Sequence, residues 1–126
     1  MTGGVLFTGL LLGDEKKGEE TIDPVKPILI DGEAIRFATK GLRDGAVFTD
    51  RRIVVVNVQG LMGKKVSFTT IALKSLTGFT IENSGTFDLD AEIKLYGSGW
   101  GRADMSFTRG FDVTKFAEYL ANACHG

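Results

Sequence analysis

The chain has 126 residues and a mass of 13.6 kDa, with 43% apolar and 25% charged residues. That is one domain's worth of chain, able to bury about two-thirds of its unfolded surface. A formal net charge of −1 argues against a surface that tracks phosphates, so no nucleic-acid partner is expected.

A single Cys and a single His, Cys124 and His125, stand side by side at the end of the chain. No internal disulfide can form, which suits a reducing compartment. Two adjacent terminal residues do not assemble a zinc site or a nucleophile–base pair, so neither a metal, a cofactor nor a catalytic residue is assigned.

Val5-Leu6-Phe7 and Leu10-Leu11-Leu12 form an apolar patch split by Thr8-Gly9. It falls far short of the ~20 residues that cross a bilayer. No Lys or Arg precedes Lys16, and Asp14-Glu15 follows directly, which is not the layout of a signal peptide. Val5, Leu6, Phe7, Leu10, Leu11 and Leu12 are therefore expected to act as a contact arm, packed on their own domain or on a neighbouring subunit. Without a basic flank, shallow membrane insertion is the less favoured use. The polar stretch 13–22 reads as a connector, so arm and connector occupy 1–22 and the folded domain 23–126. Asp23-Pro24 reads as an N-cap followed by Pro at the first helical position of a short helix, which Asp31-Gly32 ends.

From Glu33 the period becomes two. Ile35, Phe37 and Thr39 share one expected strand face, and Arg36, Ala38 and Lys40 the other. Asp44-Gly45 is a hairpin signal. Ile53 to Val58 is β-branched except for Asn57, the composition of a strand buried in a sheet. Val66 and Phe68 then alternate with Lys65, Ser67 and Thr69, as in a half-exposed partner strand. Ile71–Ser75 reads as an irregular link. Thr77, Phe79 and Ile81 mark the next strand, and Leu89, Ala91, Ile93 and Leu95 the clearest alternation of all. Beyond the turn Gly97–Gly101, Ala103, Met105 and Phe107 make the last strand. Asp112 is a good N-cap, Phe111 can staple onto Phe116, and Val113, Phe116, Ala117, Leu120 and Cys124 form an apolar helical stripe. The expected architecture is mainly β with terminal helices. Seven antiparallel strands form a barrel or sandwich, capped by a C-terminal helix and preceded by a short N-terminal one.

Three stretches sharpen this. They are Phe48–Ile53 (FTDRRI), Gln59–Val66 (QGLMGKKV) and Ser84–Lys94 (SGTFDLDAEIK), with Gly32-Glu33 and Arg43-Asp44 in keeping. Over roughly residues 24–122 the chain resembles the bacterial pleckstrin-homology (PH) family. The resemblance implies a PH fold in a cytoplasmic protein that associates into ring-shaped homo-oligomers. It implies no established ligand or activity.

Several constellations invite chemistry. Asp88, Asp90 and Glu92 alternate along one strand face, and carboxylates ligate Ca²⁺ or Mg²⁺. A strand spreads them along a ribbon, however, and Lys94 continues the same face, so a solvated surface or subunit contact fits better. The Gly97–Gly101 loop lacks the helix N-terminus that a phosphate cradle needs, and reads instead as a hairpin displaying Trp100 as a contact. In phosphoinositide-reading PH domains, basic side chains converge on the loop between the first two strands. Here that loop offers Lys40 and Arg43. Lys40, Arg43 and Trp100 are thus the candidate contacts for an anionic lipid headgroup. The leading expectation is a non-enzymatic module whose partner is itself, in a cyclic homo-oligomer, with a further protein partner possible. A peripheral module binding anionic lipid is the alternative.

Overall fold

The computed structural model describes residues 4–60, 65–83, 91–108 and 110–125. Its central strand shows why a β-branched run occurs where it does. In β4 (Arg52–Gln59), Ile53 and Val55 point into one core while Val54 and Val56 point into another. A strand covered on both faces has no polar face to present, so alternation gives way to continuous Ile and Val.

Two four-stranded sheets face each other, and they do not close into a barrel. One runs in the order β2 (Ile35–Lys40), β3 (Gly45–Thr49), β4, β5 (Lys65–Ala72), all antiparallel. The other runs β1 (Val5–Leu11), β8 (Gly101–Phe107), β7 (Ala91–Gly97), β6 (Leu76–Asn83). A 3₁₀ turn at Leu73–Ser75 joins β5 to β6, where an irregular link was expected. Between the sheets lies the main core, with Phe48, Ile53, Ile93, Leu95, Met105 and Phe107 fully buried.

The C-terminal helix α2 (Val113–His125) lies over the mouth between the sheets. Asp112 caps it by accepting the Lys115 N–H at 3.0 Å, and the Phe111 ring stands 5.4 Å from that of Phe116 in an edge contact. Phe116 and Leu120 are wholly buried. Val113 packs on the core as expected, whereas Cys124 is exposed and Tyr119 and Ala123 join the packed face.

Four expectations need correction. The first concerns the arm, which is a strand. β1 pairs in parallel with β8, through Val5–Arg102 to Leu11–Ser106, so the described residues form eight strands with one parallel pair. Phe7 and Leu10 pack on the main core and Leu12 is fully buried. The division at residue 22 is therefore not a structural one.

The second concerns the N-terminal helix. Helix α1 runs Glu19–Val25, with Pro24 inside it, and a 3₁₀ turn Lys26–Ile28 follows. Thr21 and Val25, one turn apart, are buried together on the outer face of the β2–β5 sheet, and this burial outweighs the start signal at Asp23-Pro24. The connector expected over 13–22 is thus partly helix. The contact is close: a Cβ on Gly45 of β3 would collide with the Thr21 side chain.

The third is in β2, where a register shift between Ile35 and Phe37 breaks the alternation. Ile35 joins the core beneath α1, whereas Phe37 joins the core between the sheets. The fourth is in β5. Val66 and Phe68 lie opposite Val58 and Val56 on the α1-covered face of the sheet, yet they remain 42% and 41% exposed.

Candidate functional site

Beneath the α2 helix, a tight polar network shapes the β3–β4 turn. Glu33 Oε2 accepts from Thr49 Oγ1 at 2.6 Å and from Arg52 Nε at 2.8 Å, and Glu33 Oε1 accepts from Arg52 Nη2 at 3.0 Å and from the Ile30 N–H at 3.1 Å. The same Arg52 nitrogen reaches the Ile28 carbonyl at 2.6 Å. Arg52 and the other donors hold the Glu33 carboxyl down to about 2 against the opposing effect of burial. Every donor spoken for in this way serves structure: the pair ties the 3₁₀ turn after α1 to β3 and β4.

From above, Tyr119 Oη donates to the Thr49 carbonyl at 2.6 Å. Burial pushes the Tyr119 phenol well above its usual range, so it remains a donor.

Beside this anchor, a cleft of about 420 Å³ opens between α2, the start of β2 and the β3–β4 turn. Phe37, Tyr119 and Leu73 floor it, and Arg36, Asp50 and Glu118 stand around it. Lys115 also borders it, but its Nζ sits over the Phe37 ring at 4.5 Å and pairs with Glu15 at 2.6 Å. The volume is that of a small-molecule or single-side-chain site. No sequence feature announced the cleft, since its walls come from four separated segments.

Lys40 closes β2, paired with Gly45, and Arg43 lies on the loop that follows. Arg43 Nη2 donates to the Gly60 carbonyl at 2.6 Å, and the Lys40 N–H donates to the Asp14 carbonyl at 2.9 Å. Trp100 is elsewhere. It follows β7 at the Gly101 end of β8, while Lys40 meets Asp14, which bonds Thr108 past the other end of that strand. Seven residues of strand separate the two ends by about 20 Å. No single headgroup spans that gap. Nor is Trp100 held out from its loop: it is half-buried, packs on the core, and its indole N–H donates to Ser75 Oγ at 2.9 Å.

A family model described as bacterial PH domain matches residues 7–124. The chain belongs to the bacterial PH domain family. It is 47% identical over 99 residues to the uncharacterized protein YjqA of Bacillus subtilis strain 168, covering 77% of this chain and 79% of that one. A DUF1696 family protein with a pleckstrin-homology domain from Shewanella loihica PV-4 superposes with a TM-score of 0.77 at 36% identity, over 88% of this chain and 96% of that one. A pleckstrin homology domain from Shewanella amazonensis SB2B gives 0.70 at 37% identity, over 90% and 92%.

The family match reaches into β1, further than the resemblance expected from residue 24. In this bacterial PH domain the six arm residues divide by face. Val5, Leu6 and Leu11 are 47%, 41% and 38% exposed, while Phe7, Leu10 and Leu12 turn inward. Of the carboxylate row, Asp88 and Asp90 lie outside the described residues, and so does most of the motif Ser84–Lys94. Glu92 is exposed on β7, and Lys94 pairs with Glu82 at 3.6 Å. No helix among the described residues is long and apolar enough to cross a membrane.

Proposed function

We propose that this bacterial PH domain is a cytoplasmic, non-catalytic module that assembles with copies of itself into a closed ring. The observation that carries this is the outer edge of β1. Among the described residues the strand is paired on one side only, with β8, and it leaves Val5, Leu6 and Leu11 substantially exposed along that edge. An unpaired strand edge is a template for another chain, and apolar residues along it make the contact favourable. A heterologous contact repeated from copy to copy closes into a ring when its rotation permits. Family membership supports a binding role rather than a chemical one.

Sedimentation of the full-length chain tests this directly. The expected mass is several times 13.6 kDa, persisting on dilution to micromolar concentration, and reduced in Leu6→Lys with its β spectrum intact. A monomeric wild-type chain would sink the reading. In that event Lys40 and Arg43, two cations at one end of the β2–β3 hairpin, leave anionic lipid as the competing use. Salt-sensitive co-sedimentation with anionic, but not neutral, liposomes would identify it.

A further inference from the structure

We infer that Leu42, at the tip of the β2–β3 loop, is the knob by which one copy of the chain seats in the α2 cleft of the next; this rests on the self-association proposed above and names its contact. Leu42 is 93% exposed, more than any other large apolar side chain among the described residues. A leucine held that far into water on a short loop gains nothing for its own fold. The loop is anchored, so the leucine is presented rather than trailing. The Gly41 N–H donates to the Asp44 carbonyl at 2.7 Å, and the Asp44 carboxylate accepts from Asn57 Nδ2 and the Val58 N–H, each at 2.9 Å.

The cleft is the matching hole. Its apolar floor of Phe37, Tyr119 and Leu73 suits a branched aliphatic side chain, and about 420 Å³ leaves room for the stem of a neighbouring residue. The charges match as well. With Lys115 paired to Glu15, Asp50 and Glu118 outnumber Arg36 around the cleft, whereas Lys40 at the end of β2 and Arg43 on the loop together outnumber Asp44. Such complementarity selects a partner and its orientation.

A copy cannot fill its own cleft. Arg36 and Lys40 stand about 14 Å apart along β2, and Leu42 lies beyond Lys40, so knob and hole sit at opposite ends of one rigid hairpin. The contact is therefore head-to-tail, the kind that generates rings. It also adjoins the β1 edge, because Gly41 packs beside the Leu11 carbonyl.

Sedimentation velocity on the full-length chain tests the contact. Leu42→Asp is expected to weaken association at least about tenfold, the scale of losing one central apolar anchor, with its thermal midpoint unchanged. Glu118→Arg is expected to weaken it too, and the charge exchange Arg43→Glu with Glu118→Arg to restore it. Assembly of Leu42→Asp at wild-type strength would overturn the inference and leave the cleft to some other partner; if Leu6→Lys still weakened assembly, self-association itself would stand. Failure of the exchanged pair to restore what Glu118→Arg loses would remove the cleft from the contact. A monomeric wild-type chain would remove both proposals.

Discussion

Tyr119 on α2 donates a 2.6 Å hydrogen bond to the carbonyl of Thr49, seventy positions earlier at the end of β3. The last helix is thereby fastened to the turn from which β4 begins. Tyr119→Phe keeps the ring stacked on Phe116 and removes only the hydroxyl, with its bond to Thr49 and its longer approach to the Arg52 carbonyl at 3.3 Å. The expected loss is about 1 kcal/mol in urea unfolding, the usual net value of such a bond. Faster amide exchange should appear in α2 before the central strands, and uniform exchange across the fold would contradict the fastening role.

Glu33 gives the fold an acid limit. Its carboxyl is held near 2 in the folded chain, against an ordinary value of 4.5, chiefly by the hydrogen bond from Arg52. Because the folded value is the lower one, the contribution is complete above the ordinary value and fades as pH falls toward 2. Its size is at most on the order of 3 kcal/mol. Denaturation midpoints measured from about pH 6 down to about pH 3 should fall in the wild type and flatten in Glu33→Gln. Parallel slopes in the two chains would assign acid sensitivity to other groups.

Two neighbouring leucines at the end of β1 should behave oppositely. Leu12 is fully buried while Leu11 is 38% exposed. Leu12→Ala should cost about 2–5 kcal/mol, as for a filled core site. Leu11→Ala should cost little stability, and its effect should fall on assembly. Equal stability losses would mean that the strand sits differently on β8.

The sole tryptophan reports on a close approach. The Trp100 indole covers Gly97 so tightly that any Cβ there would collide with the ring. Gly97→Ala should expel Trp100 from its place beside Ser75 and shift its fluorescence emission to the red. Emission identical to wild type would show that the ring can be accommodated beside a methyl group.

The strands β3, β4, β7 and β8 and the helix α2 were legible because their signals are local. Ala103, Met105 and Phe107 alternate to one face of a strand, and Asp112 caps the helix that buries Phe116 and Leu120. Neighbouring residues determine such features, and periodicity records them. The motifs around Phe48–Ile53 carried the family for the same reason. What the tertiary structure alone decided involves partners far apart in the chain. Val5 pairs with Arg102, Glu33 with Arg52, and Thr21 packs on Gly45. No spacing rule connects residues at those distances, so an apolar stretch could become arm or strand, and Pro24 could begin a helix or lie within one. The cleft followed the same logic. Phe37 reaches the core between the sheets only because the register slips after Ile35, and Tyr119 meets Thr49 only once α2 has covered the mouth of the sandwich.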